Sequence, residues 1–455
     1  MSDFIDYDCT KHLNMLKSAH RQITQYEQTQ TPTFEAAQAY YNVGKLEECE
    51  QVVLELQKND MVTKAVKRLQ QNIEIQKLQI SEGKYDFKSM VEEAKENFVV
   101  KCQNYVNPNI EIREAGNKRF GYFAKSKIEM GTKLMVEKAF LIADQMQMFK
   151  QLLVKVELKD FQISQYQALK GGDISLSFLN LEQKYSKNGF SAFPKLEDEF
   201  RKDSPKWKLE VLVLGSCTIN HSCLPNAYWY FIGDVQFIIA QRQIEENEQI
   251  FLQYVDPLQV TFIKQPDEIR RAFGFECECE NCKTMTLQQR QQISKLTLVL
   301  ENKIKSIEKS SDLANQNDIS SIEDISQRVE TIIDESHARR SALLHYYTEL
   351  SYVLHISDNT RKAIDVGIKA LESFGIDGVQ GRKGQLVMIP NAQHYMHFKV
   401  LEVILNILSF CFFVSKEEVE NWLKLLEQVF TKVTGGCGDF KYFLKKRLEI
   451  SGVHQ

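Results

Sequence analysis

The sequence predicts an α+β protein: a β-rich centre interrupted by a helical insert, flanked by an N-terminal helical region and a C-terminal helical domain. Three observations carry this. Residues 1–105 read as helical, the apolar period changes to two from about residue 109, and stacked helical segments return after residue 290. A chain of 455 residues, 43% hydrophobic, buries a real core and has room for roughly three domains. The charge sum of 57 − 61 = −4 argues against a protein that grips nucleic acid mainly through phosphates.

In the first region, Phe34–Tyr41, the Gly44-Lys45 break and Leu46–Leu56 form a paired-helix pattern like a tetratricopeptide repeat, and an ordinary helical hairpin fits equally well. Tyr85–Asn97 continues as helix until Pro108 breaks it. Short strands then fit Asn109–Glu114, Phe120–Ala124 and Leu134–Ile142. Residues 143–215 read as a mainly helical insert. Ala227–Ile232 and Val235–Ala240, joined by Gly233-Asp234, give the clearest hairpin, and a strand at Gln249–Tyr254 follows. Ile128–Leu134 and Ile244–Ile250 share the form I-x-x-(G/N)-x-x-(L/I), so Gly131 and Asn247 are expected in left-handed turns. Residues 286–321 read as polar linker and helix, with a break at Ser310–Ser321. Residues 322–455 read as stacked helices, with Ala342–Leu354 and Ala363–Leu371 again repeat-like.

The amino terminus shows no secretory pattern, and Val403–Ser415, thirteen uncharged residues, is too short to span a bilayer and reads as a buried helix. The expectation is a protein of the cytoplasm, the nucleus or both, away from membranes. Six cysteines (Cys9, Cys49, Cys102, Cys217, Cys411 and Cys437) are scattered and read as small buried hydrophobes. Cys277, Cys279 and Cys282 are packed as C-x-C-x-x-C. Structural zinc takes four tetrahedral ligands and favours thiolates, so a fourth must come from elsewhere. Cys223 is the natural choice and Cys217 competes with it.

Upstream lies Asn220-His-Ser-Cys-Leu-Pro-Asn226, and between the two clusters Gln253-Tyr254. A histidine beside an apolar run is by itself more often a satisfied core residue than a catalyst. The combination resembles the SET-domain family: N-H-S-C-x-P-N, a tyrosine ending a later strand, then C-x-C-x-x-C. Arg119–Ala124 and Glu137-Lys138 stand for its amino-terminal motif. The helical insert and tail resemble the SMYD (SET and MYND) branch, although residues 143–215 hold no cysteine for a MYND zinc module.

The resemblance implies a protein-lysine methyltransferase that uses S-adenosylmethionine (SAM), acting on a protein or peptide substrate that presents a lysine. It implies SAM contacts from Asn220 and His221 through backbone and side chain, Phe120 and Gly121 under the methionine part, and Phe275 against the adenine. Tyr254 is implied as the catalytic residue, also bordering the cofactor. Structural zinc is implied on Cys223, Cys277, Cys279 and Cys282. Two departures stand out: Arg119 occupies the first glycine position of the family loop, and Phe273 stands where close relatives often carry a channel tyrosine. A different class of reading is a catalytically weak or inactive SET-fold scaffold that binds protein partners through its helical arms. A nucleic-acid-binding zinc module is opposed by Glu276, Glu278 and Glu280 among the ligands.

Overall fold

The computed structural model describes residues 9–97, 99–116, 120–143, 145–157, 163–169, 177–192, 209–254, 265–309, 314–333, 343–390, 397–412, 414–436 and 438–451. Four N-terminal helices, Cys9–Thr29, Phe34–Asn42, Leu46–Lys58 and Lys64–Glu82, close around their own core of Ala36, Ala37, Val52, Val53, Leu56 and Leu69. Thr33 and Thr63 cap two of them by accepting the N–H groups of Ala36 and Val66. Gly44 (φ +79°) makes the expected break. The fifth helix, Phe87–Asn97, belongs to a different core: Phe87, Met90, Val91 and Ala94 pack with the central sheet and the C-terminal helices.

That sheet runs β1 (Tyr105–Val106), β4 (Lys133–Lys138), β10 (Val235–Ala240), β9 (Ala227–Ile232), all antiparallel. The β9–β10 hairpin pairs Ile232 with Val235 across a two-residue turn in which Gly233 has φ +54°. Every residue of β10 is buried because both faces are covered. On one face Tyr230 stacks on Phe237 at 4.9 Å and meets Phe398 edge-on at 5.2 Å. On the other, Ile238 and Ala240 pack with Ile110, Tyr122, Leu134 and Met135.

The smaller pairings position the site. β2 (Ile110–Glu114) and β3 (Phe120–Ala124) form a hairpin, and β8 (Asn220–His221) runs parallel to β11 (Phe251–Leu252). The predicted strand Gln249–Tyr254 thus contracts to two residues, plus one bridge from Gln249 to Phe123. The two echoing turns pair with each other: Ile128 and Ile244 exchange backbone bonds of 2.8 and 2.9 Å, with Gly131 at φ +84° and Asn247 at φ +64°.

The insert contributes helices Gln145–Glu157, Ile163–Ala168 and Phe178–Asn188, and also two strands that the helical reading did not include. β6 (Phe190–Ala192) and β7 (Leu209–Leu212) build a three-stranded sheet with β5 (Leu141–Ala143). After the cysteines, helix Leu287–Lys309 begins where a polar linker was expected. Thr286 and Gln289 form a reciprocal cap, Thr286 N to Gln289 Oε1 at 2.9 Å and Gln289 N to Thr286 Oγ1 at 3.2 Å. The break expected at Ser310–Ser321 is shorter, since helix Gln316–Ile333 buries Ile319. Helices Leu343–Ile356, Thr360–Glu372, Phe398–Cys411, Lys416–Val433 and Phe440–Ser451 follow. The apolar stretch from Val403 lies buried in Phe398–Cys411, and no described helix is long and apolar enough to cross a membrane. Cys49, Cys102 and Cys411 are buried as expected, while Cys437 lies outside the described residues.

Candidate active site and cysteine cluster

The buried carboxylate Glu137 on β4 organises the approach to β8. Its oxygens accept the Gly215 and Ser216 N–H groups at 2.8 and 3.0 Å, holding the turn Ser216–Thr218 that feeds Asn220. Burial pushes its carboxyl up to about 7, against the pull of those N–H donors. Beyond β8 the chain turns through Asn226, which is fully buried and fully used. Its amide nitrogen donates to Glu248 Oε1 and Gln249 O, both at 2.8 Å, and its oxygen accepts Phe251 N–H at 2.8 Å. Glu248 itself is half-buried and paired with Arg242 at 2.6 Å.

β3 presses against β8 at Gly121. A Cβ there would stand 2.2 Å from Gln249 Nε2 and 2.8 Å from Asn220 Nδ2. Asn220 Nδ2 donates to the Phe120 carbonyl at 2.8 Å, while the Phe120 side chain is 53% exposed. So Phe120 joins the cluster through its backbone. Arg119 lies outside the described residues.

Tyr254 follows β11 and is held at both ends. Its N–H donates to His221 Nδ1 at 3.1 Å and its hydroxyl to Ile219 O at 2.7 Å. Burial, with Cys217 adding a smaller push, raises its phenol above the ordinary tyrosine range, so it stays protonated at neutral pH. Around it stand Phe273 (5.0 Å between centroids), Phe275 (6.4 Å) and His221 (5.2 Å). Helix Gln265–Phe273 delivers Phe273, and Gly274 (φ +76°) turns the chain so that Phe275 reaches the same cluster. Lys187, on the insert helix Phe178–Asn188, caps that helix by donating to Ala272 O at 3.1 Å.

Cys223, Cys277, Cys279 and Cys282 converge, with all four sulfurs within 4.8 Å of one another. The Cys223 sulfur is 3.7 Å from that of Cys277 and 3.5 Å from that of Cys282. A disulfide needs about 2.05 Å, whereas four thiolates around one zinc at about 2.3 Å sit about 3.8 Å apart. The spacing fits the metal. Sulfur–sulfur hydrogen bonding, with Cys223 foremost, pulls Cys277 and Cys279 below the ordinary thiol range. Cys217, the competing ligand, points elsewhere, bonded to the carbonyls of Val213 at 2.6 Å and Asn188 at 3.1 Å. Two residues went unassigned in the sequence, Gln249 and Gln253. Each buries a side-chain nitrogen that meets no acceptor among the described residues. An alternating pattern marks which side of a strand they face, not that the facing wall lacks an acceptor.

The family model described as SET domain matches residues 119–255, the stretch that holds all of this except the segment from helix Gln265–Phe273 through Phe275 and the three clustered cysteines. Residues 119–255 are a SET domain. Among curated proteins, this chain is 22% identical over 61% of its length to a "Methyltransferase" of Gibberella zeae, covering 45% of that protein. It is 35% identical over 14% of its length to "SET domain and MYND-type zinc finger protein 6" of Schizosaccharomyces pombe, covering 14% of it. The same share of the chain is 35% identical to "N-lysine methyltransferase SMYD2" of Homo sapiens, covering 15% of it. The matches thus span less than half the length of these relatives, and likeness to the SMYD-type proteins is confined to the SET region. The solved SET domain of LSMT, bound to lysine and AdoHcy, aligns over 80% of this chain and 92% of its own. The identity is 11% and the TM-score 0.24, too loose a superposition to carry anything further.

Proposed function

We propose that this SET protein is a SAM-dependent methyltransferase acting on the side-chain amine of a protein lysine, with zinc as a structural ion on the four cysteines. The observation that carries the reading is the seating of Tyr254: a half-buried, protonated phenol whose hydrogen is committed to Ile219 O, inside an aromatic wall and one β-pairing away from Asn220.

The residues fit the cofactor. Gly121 leaves room for backbone approach only, and the buried amide nitrogens of Gln249 and Gln253 are donors suited to a carboxylate and to sugar hydroxyls. SAM, when bound, supplies a methyl group on a cationic sulfur. Asn220 orders the strand that would face it, and Phe275 offers a flat apolar surface for a base.

The chain's own work is to prepare the amine. Free lysine titrates near 10.4, and an aromatic channel walled by Tyr254, Phe273 and Phe275 withholds the water that stabilises the ammonium. Because the Tyr254 hydrogen goes to Ile219, its oxygen is left as an acceptor. It would orient the amine N–H and hold polarised C–H groups, a positioning role rather than that of a base. The cysteines would pin the loop that carries Phe275.

Isothermal titration of SAM into the full, zinc-loaded chain tests the reading, followed by transfer of a labelled methyl to lysine peptides. Binding in the micromolar range and label on lysine are expected. Silence at millimolar SAM removes the enzyme assignment. Tyr254→Phe should keep SAM affinity and cost about 1 kcal/mol of stability, while methyl transfer falls about a hundredfold. An unchanged rate would strip Tyr254 of its role.

A further inference from the structure

We propose that His221 is a positioning residue whose imidazole ties the four-cysteine set to the backbone of Tyr254, rather than a side-chain contact to the cofactor. The ring is 3% exposed and its two nitrogens face in different directions. Nδ1 accepts the Tyr254 N–H at 3.1 Å, so the ring hydrogen belongs to Nε2. Nε2 faces the Cys223 sulfur at 3.4 Å and donates to it. Both polar atoms are thereby spent inside the protein.

The reason for such a strut lies in the strand pairing. The β8–β11 ladder ends at Leu252 opposite His221, so Tyr254, two residues further on, has left the ladder. A backbone N–H at that depth needs an acceptor, and the residue that ends the opposite strand supplies it from its side chain. The Tyr254 hydroxyl is meanwhile fixed by Ile219, two residues before His221. Tyr254 is therefore gripped from both sides of Asn220, and one of the two grips leads on to the sulfur set, which contacts Cys223 through Cys277 and Cys282. Moving those sulfurs moves the ring, and the ring moves Tyr254. The importance of that seating for methyl transfer rests on the function proposed above; the linkage itself does not.

Two substitutions separate the two ends. His221→Asn keeps an acceptor near the Nδ1 position and gives up the donor to Cys223. His221→Gln keeps a donor near the Nε2 position and gives up the acceptor for Tyr254. The full chain, labelled with ¹⁵N-tyrosine and loaded with zinc or with cadmium, reports the Tyr254 amide resonance, assigned by its loss in Tyr254→Phe. Tyr26, in the N-terminal helices, serves as the remote control. In the wild type the metal exchange should shift Tyr254 and leave Tyr26 in place. In His221→Asn the Tyr254 resonance should stay near its wild-type position but lose at least half of its response to the exchange. In His221→Gln it should move away from the wild-type position with either metal.

A wild-type Tyr254 resonance that ignores the metal overturns the proposal, and this needs no variant to fold. So does a full response in His221→Asn, or a Tyr254 resonance that stays at its wild-type position in His221→Gln. The resonances are read without SAM, so a chain that proves not to be a methyltransferase leaves this test intact.

Discussion

Gly121 shows how one missing methyl group can shape a site. Gly121→Ala must displace Gln249 or Asn220, since the new Cβ would lie 2.2 and 2.8 Å from their amide nitrogens. The expected cost is about 1–3 kcal/mol, with SAM affinity falling at least tenfold in titration; unaltered affinity would place the cofactor elsewhere. Glu137 makes a pH prediction. Its folded carboxyl titrates near 7 against 4.5 for the free group. Its contribution is therefore fully present below about 4.5 and is lost as pH rises through 7, by up to about 3 kcal/mol. Glu137→Gln abolishes that titration and turns an amide nitrogen toward the Gly215 or Ser216 N–H, costing about 1–3 kcal/mol at every pH. Denaturant melts of both proteins from pH 4.5 to 8 should show the wild-type slope flattened in the variant. At this scale the clustered motifs were legible: Asn220 stands against Phe120 and Gly121, Tyr254 beside Phe273 and Phe275, and the four sulfurs converge. What His221 touches was not, because two side-chain nitrogens choose their partners only once the folded chain supplies them.

Among the elements, the two echoing turns were read correctly from residue type, Gly131 and Asn247 both being left-handed. That they pair with each other through Ile128 and Ile244 is a long-range fact. Gly131 carries a second constraint, since a Cβ would stand 2.6 Å from Lys432 Cδ on the C-terminal helix Lys416–Val433. Gly131→Ala thus combines backbone strain with a clash and should cost about 2 kcal/mol or more, whereas Asn247→Gly should cost little or stabilise. Comparing their melting temperatures checks this; equal effects would show that the helix gives way. The long amphipathic helices and the β9–β10 hairpin announced themselves by period. The strands of the insert did not, since β6 and β7 are three and four residues long and owe their state to each other and to β5.

For the whole molecule, the tail is part of the same core as the central sheet. Tyr228 and Tyr230 pack on Phe398, the Tyr230 hydroxyl donates to Thr434 O at 3.2 Å, and Phe87 meets Phe430 at 6.1 Å. Removing residues 290–455 would bare that face, and aromatic side chains bury about 150–250 Å² each. The truncated chain should therefore aggregate or lose its near-ultraviolet circular dichroism. A monodisperse, folded truncation would instead establish the tail as a separable arm. The N-terminal helices differ. Their core is their own, and they dock through polar groups such as Gln79 Oε1, which accepts the Gln103 N–H at 2.9 Å.

By itself the sequence determined the α+β class, the helical ends, the left-handed turns and the residue types of the site, because period, turn chemistry and ligand spacing are short-range properties carried by neighbours. The structure bore out Cys223, the expected choice, over Cys217 in the sulfur set, while tertiary structure alone decided that the tail roofs the sheet and that His221 bridges sulfur to Tyr254. Each of those depends on which distant surfaces come to lie within a few ångströms, and no local pattern encodes that distance.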